Sequence, residues 1–224
     1  MAKVVSLLQQ KGGVGKTTIS VHLATQIKEV FPELNVALAD ADPQKSATAW
    51  INKGHGRSGV TVYSVATDGE GKNLRKELAA IEADLVILDL PPAIACVSLR
   101  AAIYSDLILV PTGASALDIE AARAAIEVCR EAIELDSNKQ FLLVPNRVQQ
   151  NTAAGRELRM VLKGFGPVTE ATLCLRVAYA DAVMHGVGVN TFAPGSMAYQ
   201  EIGNLAEEVV RVLKLAGGDH NAQA

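Results

Sequence analysis

Short apolar runs alternate along this chain with longer segments in which apolar residues recur at helical spacing. The apolar, β-branched runs predict strands at 3–8, 35–39, 60–63, 85–88, 107–110, 141–144 and 168–173. Helical spacing lies between most of them, for example at 73–82 and 119–134. Because continuous apolar strands are buried on both faces, the pattern predicts an α/β fold with a doubly wound, mostly parallel sheet. Such sheets bind ligands at the carboxyl ends of their strands.

Length and composition narrow the class of protein. The 224 residues, 49% of them hydrophobic, predict a single globular domain at 1–216 followed by a flexible tail at 217–224. No apolar run approaches the ~20 residues of a membrane span, and the chain opens on a strand rather than a signal peptide. Cys96, Cys129 and Cys174 are scattered, which indicates reduced thiols. We therefore expect a cytoplasmic protein.

Charge is distributed unevenly along the chain. The formal net charge of −3 argues against a globally basic nucleic-acid-binding protein. The segment 147–176 is nevertheless locally basic, because five cationic side chains face only Glu157 and Glu170 there. On charge alone, a solvated helix face and a nucleic-acid surface are equally good interpretations. The five cationic residues are Arg147, Arg156, Arg159, Lys163 and Arg176.

The run Gln-Lys-Gly-Gly-Val-Gly-Lys-Thr-Thr at 10–18 connects the first predicted strand to a helical pattern that starts at Ile19. A strand, a glycine-rich loop, a Lys-Thr pair and a helix together form a cradle for nucleotide phosphates. Glycines let backbone N–H groups approach the phosphates, and the helix N-terminus adds partial positive charge. Lys16 is then expected to reach the β/γ-phosphate oxygens, and the Thr17 hydroxyl to ligate Mg²⁺.

The loop departs from the usual phosphate-loop pattern at its start. The glycine expected six residues before Lys16 is replaced by Gln10, and a second lysine, Lys11, follows it. An ammonium group needs water or an anion, so packing is a poor explanation for Lys11.

Carboxylates follow two other predicted strands. Asp40 and Asp42 are two residues apart, so in an extended chain they point to the same side. Beside a phosphate loop they are suited to hold Mg²⁺ through water and to orient an attacking water. The alternative for Asp42 is a helix N-cap, with Pro43 at the first helical position. Asp89 ends an apolar strand in the manner of a Walker-B carboxylate.

A polar pair, Asn146 and Arg147, ends a later predicted strand. An amide can pair with the edge of adenine, and an arginine can stack on its ring. Strands often end in polar residues, so this pair becomes informative only beside the other motifs.

Taken together, Gln-Lys-Gly-Gly-Val-Gly-Lys-Thr-Thr, Asp-Ala-Asp-Pro-Gln and Ile-Leu-Asp-Leu-Pro-Pro resemble the ParA/MinD family of deviant Walker-A ATPases. The resemblance covers nearly the whole chain. It implies a P-loop NTPase fold with weak intrinsic ATP hydrolysis, with ATP and Mg²⁺ bound, and with an ATP-sandwich homodimer.

The resemblance also implies roles for individual residues. Lys11 reaches across the dimer to the partner's ATP, and Asp42 positions the hydrolytic water. Asp40 and Asp89 support Mg²⁺ through water, while Asn146 and Arg147 contact adenine together with Phe192 and Pro194 of a later loop. The phosphate loop itself is lined by Gly12, Gly13, Val14 and Gly15, with Thr18 on the α-phosphate.

Within the family, the chain resembles the short ParA-type partition and cargo-positioning proteins, because the phosphate loop at residue 10 leaves no room for an N-terminal helix-turn-helix domain. This implies non-specific DNA binding by the ATP dimer, a nucleoid-associated location and hydrolysis stimulated by a ParB-like or other cargo-adaptor protein. The cargo itself, whether plasmid, chromosome or protein assembly, is left open.

Three alternatives use the same core. A MinD-like membrane-cycling ATPase needs a basic amphipathic C-terminal helix, which the ending at 217–224 does not resemble. A nitrogenase-iron-protein-like reductase needs two cysteines per subunit on an iron–sulfur cluster, a role open to Cys96 and Cys129. A metabolic ligase needs a substrate-binding insertion, whereas the predicted loops are short.

Overall fold

A six-stranded parallel sheet forms the centre of the computed structural model, which describes residues 2–68, 70–92 and 95–215. The strand order is β3-β2-β4-β1-β5-β6. The strands are β1 (Lys3–Leu7), β2 (Val36–Asp40), β3 (Thr61–Ser64), β4 (Leu85–Asp89), β5 (Leu107–Thr112) and β6 (Gln140–Pro145). Because every pairing is parallel, all strands end at the same edge of the sheet.

Helices cover both faces of this sheet. The described helices are α1 (Lys16–Val30), α2 (Ser46–Lys53), α3 (Leu74–Ala79), α4 (Ala95–Tyr104), α5 (Ala116–Leu135), α6 (Ala153–Lys163), α7 (Val177–His185), α8 (Val189–Phe192) and α9 (Met197–Leu213). The predicted doubly wound α/β fold is confirmed.

Alternation along the strands divides the core into layers. In β1, Val5 and Leu7 pack with α1, α2 and α7 to α9, whereas Val4 faces the opposite layer. That opposite layer is formed by α3 and α4 over one half of the sheet and by α4, α5 and α6 over the other. A strand with apolar residues on both sides is stable only between two helical layers, which explains its continuous apolar sequence.

The prediction of a seventh strand at 168–173 is wrong. Isolated bridges form at its two ends, between Val168 and Leu143 and between Val148 and Cys174, which directly follows the predicted segment. Between these bridges, side chains hold the backbone: the Arg159 guanidinium donates to carbonyls of 169–171, and a buried glutamate of α9 accepts backbone N–H groups. An apolar run alone cannot reveal this substitution.

Other boundaries shift by a few residues. The helix predicted at 73–82 spans only Leu74–Ala79, and the helix predicted at 119–134 extends over Ala116–Leu135. The tail predicted at 217–224 lies outside the described residues. Within the described part of the chain, the structure has no helix of the length and apolar character needed to cross a membrane.

Candidate functional site

The predicted motif residues meet at the carboxyl edge of the sheet. Asp40 ends β2 and Asp89 ends β4, and the two are direct neighbours in the parallel register. Leu7, the last residue of β1, pairs with Asp89 on the other side, so the phosphate loop begins next to these carboxylates. Asn146 directly follows β6 at the same edge. The fold therefore brings together groups that are up to about 130 residues apart in the sequence.

Glycine is required inside the loop. Gly13 and Gly15 adopt φ of 74° and 93°, values that L side chains rarely tolerate. A Cβ on Gly15 would also lie 2.8 Å from Asn146 Nδ2. Helix α1 starts at the next residue, so its N-terminal N–H groups face the loop. This backbone arrangement fits a phosphate group, with glycine where a side chain would fill the space.

Lys16, the first residue of α1, is buried. Its side chain bends back so that Nζ donates to the carbonyl of Gln9 at 3.0 Å, and the residue retains only 7% exposure. Burial lowers the pKa of this ammonium, while the nearby carboxylates of Asp89 and Asp42 oppose the shift. Among the described residues, this buried cation has only a carbonyl as a direct partner, which makes it well suited to accept an anionic ligand.

Lys11 has a different environment. Its Nζ lies 2.6 Å from Asp118 Oδ1, in an ion pair whose lysine side chain is 37% exposed. Asp118 is itself held by Ser115, the N-cap of α5, whose hydroxyl donates to Oδ2 at 2.6 Å. Desolvation raises the pKa of Asp118, but the hydrogen bonds from Lys11 and Ser115 outweigh it and the net pKa is lowered. The second lysine is therefore retained by its own subunit.

Asp89 connects the sheet to α1. It accepts hydrogen bonds from the hydroxyls of Thr17 at 2.7 Å and Ser20 at 3.1 Å. Burial raises its pKa to about 6, against the effect of these donors. The Thr17 oxygen keeps a lone pair while it donates to Asp89, so the hydroxyl fits a Mg²⁺ ligand that a carboxylate orients from behind.

The turn after β2 presents Asp42. Asp40 is fully buried and accepts hydrogen bonds on both oxygens, from the Asp42 N–H and from the N–H and hydroxyl of Thr48. Asp40 thus anchors the turn, and in this geometry it is less suited than Thr17 to a metal. Asp42 is half-buried and is close enough to Lys16 to raise the pKa of its ammonium.

The helix-cap alternative for Asp42 is wrong. Helix α2 begins at Ser46 with Lys45 as its N-cap, so Asp42 precedes the helix by a full turn of chain. Its carboxylate instead accepts the N–H of Gln44 at 2.8 Å. Capping therefore does not explain the position of this carboxylate.

Asn146 and Arg147 brace the loop from the side of β6. Asn146 Nδ2 donates to the carbonyl of Val14 at 2.7 Å, and Arg147 Nη1 donates to that of Gly13 at 2.8 Å. Arg147 lines two cavities. One, of about 590 Å³, is lined by residues that include Lys11, Gly12, Asp118 and Gln149; the other, of about 240 Å³, by Thr18, Asn146, Cys174, Leu175, Tyr179 and others.

Phe192 and Pro194 line neither of the two cavities beside the phosphate loop. Phe192 ends α8 and stacks on His185, with ring centroids 5.0 Å apart. The start of α8 is bonded to the middle and second half of α1, through Val189 on His22 and Asn190 on Glu29. Because α1 rises about 1.5 Å per residue, this region lies well beyond the phosphate loop. Their contact with adenine stays a prediction.

Most cationic side chains of the basic segment 147–176 are paired with a carboxylate or hydrogen-bonded to backbone carbonyls. Arg176 pairs with Glu201 at 2.7 Å, Arg159 donates to several carbonyls of 169–171, and Arg147 binds the loop. Arg156 and Lys163 remain exposed on α6, on either side of the exposed Met160. The cationic surface is therefore smaller than the sequence indicates.

The cysteines do not favour a cluster-binding role. Cys129 is buried in the apolar core along α5, and burial raises the pKa of its thiol to about 12. Because a metal–sulfur cluster binds thiolates, this environment argues against the reductase alternative.

Three polar residues of the site were missed by sequence reasoning: Asp118, Ser20 and Lys45. Asp118 had a usable signal, since Ser115-Ala116-Leu117-Asp118 has the spacing of a capping box directly after an apolar strand. Ser20 and Lys45 had none, because their importance depends on the carboxylate or carbonyl that the fold places opposite them.

Comparisons with known proteins agree with this geometry. The family model described as "CobQ/CobB/MinD/ParA nucleotide binding domain" matches residues 5–212. Maintenance of carboxysome distribution protein A from Halothiobacillus neapolitanus is 29% identical over 212 residues, which cover 93% of this chain and 97% of that protein.

Solved structures show the same fold. The septum site-determining protein MinD from Pyrococcus horikoshii, complexed with Mg-ADP, superposes with a TM-score of 0.77 at 14% identity, covering 96% of this chain and 98% of that one. An ATP complex of a Cyanothece McdA variant gives a TM-score of 0.75 at 16% identity, covering 98% and 99%. With the family model matching most of its length, the chain belongs to the CobQ/CobB/MinD/ParA family of nucleotide-binding domains.

Proposed function

We propose that this protein is a ParA-like positioning ATPase. It binds Mg-ATP, forms an ATP-sandwich homodimer, and in that state binds DNA without sequence preference to partition or position a cargo. A ParB-like or other cargo-adaptor protein stimulates hydrolysis and so releases the dimer. The observation that carries this proposal is the unequal placement of two lysines on one phosphate loop, Lys16 buried and Lys11 partly exposed.

Lys16 serves the subunit's own nucleotide. Its buried ammonium exchanges the Gln9 carbonyl for β/γ-phosphate oxygens. A hydrogen bond from an ammonium to a negatively charged oxygen is stronger than one to an uncharged carbonyl. Gly13 and Gly15 let backbone N–H groups reach the same phosphates.

Lys11 serves the partner's nucleotide. A half-exposed ion pair such as Lys11–Asp118 contributes only about 1 kcal/mol or less, so a triphosphate of higher charge can displace it. Lys11 lines the larger cavity, whereas the buried Lys16 is not part of that lining. Association then depends on ATP, because only a bound triphosphate supplies the anion that Lys11 needs.

The hydrolytic groups lie on the opposite side of the loop. Asp89 orients the Thr17 hydroxyl as a ligand, and Asp42 faces the site beside Lys16, where it can hold an attacking water. When bound there with ATP, Mg²⁺ neutralises charge on the β- and γ-phosphate oxygens.

Of the two cavities, the smaller one is the better place for the adenine ring of ATP. It adjoins Thr18 at the start of α1 and is walled by Asn146, Leu175 and Tyr179. We assign adenine to this cavity in place of the Phe192 and Pro194 loop. Both residues of the Asn146–Arg147 pair line this cavity. Asn146 is then placed to hydrogen-bond the edge of adenine, and Arg147 lies beside the phosphate loop.

The relatives found by sequence support a positioning role, because a carboxysome-distribution protein and a ParA protein are among them. The carboxysome-distribution relative and this chain cover each other almost completely. The exposed Arg156 and Lys163 on α6 are the part of the basic segment available for DNA phosphates.

A gel-shift assay tests the proposal. Wild-type protein and the hydrolysis-slowed Asp42→Ala variant are titrated onto short non-specific duplex DNA with Mg-ATP, Mg-ADP or no nucleotide. We expect a shift with ATP alone, weakening steeply between 50 and 200 mM salt because the contacts are to phosphates. Equal binding in ATP and ADP, or none at the lower salt concentration, would contradict the proposed DNA-dependent mechanism.

A matched pair of charge variants localises the DNA contact. Arg156→Gln combined with Lys163→Gln removes two charges from α6, whereas Arg75→Gln combined with Lys76→Gln removes two from α3 near the opposite edge of the sheet. We expect the first pair to weaken ATP-dependent DNA binding about tenfold or more and to reduce the salt slope by about 2, with little change for the second.

A further inference from the structure

One lysine near the site adopts a backbone conformation that glycine would adopt more readily. Lys45, the residue before α2, has φ 52° and ψ 36°, in the left-handed region. L side chains are strained there, and glycine is not. This strained residue lies at the carboxyl edge of the sheet, three residues after Asp42.

The lysine side chain supplies contacts that glycine cannot. Its Nζ donates to the carbonyl of Asp40 at 2.9 Å and to that of Val65 at 3.1 Å. Asp40 ends β2 and Val65 follows β3, so one ammonium joins the ends of two neighbouring strands. The backbone N–H of Lys45 also donates to the carbonyl of Asp42 at 2.9 Å, which closes the turn.

These contacts bear directly on Asp42. The carboxylate and N–H of Asp42 are bonded only within its own turn and to Asp40, among the contacts of the described residues. Lys45 adds the connection from this turn to β3. Without it, the turn would keep its contacts to Asp40, to the start of α2 and, through the Ala41 N–H, to Asp89 of β4, but it would lose its own link to the end of β3.

We propose that Lys45 is a positioning residue for Asp42. It holds the turn 42–45 so that the Asp42 carboxylate stays directed at the phosphate site, where the proposed function places the attacking water. This inference rests on the proposed ATP hydrolysis. Two of the three N–H groups of Lys45 are committed to strand carbonyls, so it acts through the turn and is not a further phosphate-binding lysine.

A set of three substitutions separates positioning from folding. Lys45→Gly removes the ammonium and also relieves the backbone strain. Lys45→Met removes the ammonium and keeps the strain. Lys45→Arg keeps a cation that can donate to both carbonyls. Circular dichroism should show Lys45→Gly unfolding at or above the midpoint of Lys45→Met.

Single-turnover hydrolysis of Mg-ATP and the Kd for ATP are measured for each variant. We expect Lys45→Gly and Lys45→Met to hydrolyse about tenfold more slowly or worse, with Kd for ATP within about twofold of wild type. Lys45→Arg should recover most of the rate. In an Asp42→Ala background, Lys45→Gly should cause no further loss, since its effect passes through Asp42.

The outcomes distinguish the two proposals. A wild-type protein that hydrolyses ATP alongside an unimpaired Lys45→Gly variant overturns the positioning role alone. A rate loss that is matched by an equal loss of ATP affinity, or that is undiminished in the Asp42→Ala background, also overturns it. A wild-type protein that does not bind or hydrolyse ATP overturns the proposed function, and this inference with it.

Discussion

The two ends of the phosphate loop carry the same functional group in opposite environments. At the α1 end, the Lys16 ammonium is buried and bonded to a carbonyl. At the β1 end, the Lys11 ammonium is partly exposed and paired with a carboxylate. Burial commits the first lysine to one ligand position, whereas exposure leaves the second free to change partners.

The difference supports the proposal that one short loop serves both nucleotide binding and dimer association. Displacing the Gln9 carbonyl from Lys16 requires an anion inside the subunit. Displacing Asp118 from Lys11 requires an anion that can approach from outside it. The free-energy barrier to the second exchange is small because the pair is accessible to water.

The largest effect is expected at the buried end. Lys16→Ala should weaken ATP binding about 100-fold or more, because it removes charge-assisted hydrogen bonds to phosphate from a desolvated site. Isothermal titration calorimetry with Mg-ATP measures the loss. Lys53→Ala, an exposed lysine at the end of α2, controls for the change in net charge. Retention of ATP affinity by Lys16→Ala would remove the contrast between the two ends.

At the exposed end, association should change and monomer binding should not. Lys11→Ala is expected to keep ATP affinity within about threefold and to weaken ATP-dependent dimerisation about tenfold or more. Sedimentation velocity with a non-hydrolysable ATP analogue measures the dimer fraction against protein concentration. A Lys11→Ala variant that dimerises normally would show that the cross-dimer role is wrong.

The ion pair that retains Lys11 can be opened without removing the lysine. Asp118→Asn keeps a side chain that Ser115 can bond but deletes the charge, so dimerisation with ATP should tighten about three- to fivefold. Glu120→Gln, in the same turn of α5 and paired with Arg123 at 3.7 Å, is the control. A weaker dimer from Asp118→Asn would mean that Asp118 directs Lys11 towards the partner instead of restraining it.

His22 on α1 is buried like Lys16, but it has no proposed ligand, so its burial affects only the stability of the fold. His22 is buried, donates through Nε2 to the Tyr179 carbonyl and accepts the Val189 N–H on Nδ1. Burial lowers its pKa to about 4 from 6.5. The unfolded chain therefore binds the extra proton between these values, and stability that is complete above pH 6.5 is lost as pH falls towards 4.

This loss should be about 2 kcal/mol at pH 5 and about 3 kcal/mol in full below pH 4. It is the smallest of the expected effects on function, because ATP binding near neutral pH does not change. Chemical unfolding followed by circular dichroism at pH 7.5 and pH 5 measures it. His22→Gln, whose amide retains a donor and an acceptor, should reduce the difference between the two pH values. An unchanged difference would place the acid sensitivity in other groups.

How far the sequence predicts the site depends on whether a residue's function is carried by local geometry. The glycines, Lys16 and Thr17 act through a contiguous strand–loop–helix, so their spacing is sufficient to place them. The residues proposed to contact adenine come from segments more than 120 residues away, so spacing alone could not choose between the Asn146–Arg147 pair and the loop of Phe192 and Pro194. Counting charges in 147–176 likewise overestimated the cationic surface, because Arg159 and Arg176 are bonded internally.

Alternating apolar runs and helical spacing were enough to determine a parallel α/β sheet, since such strands are stable only between two helical layers. The loop motif and the strand-ending carboxylates were enough to determine where a nucleotide is expected. Only the tertiary structure decided which partner each charge has: Asp118 for Lys11, the strand carbonyls for Lys45, and Glu201 for Arg176. The physical reason is that hydrogen-bond energies depend on distances of a few tenths of an ångström between groups that only folding brings together.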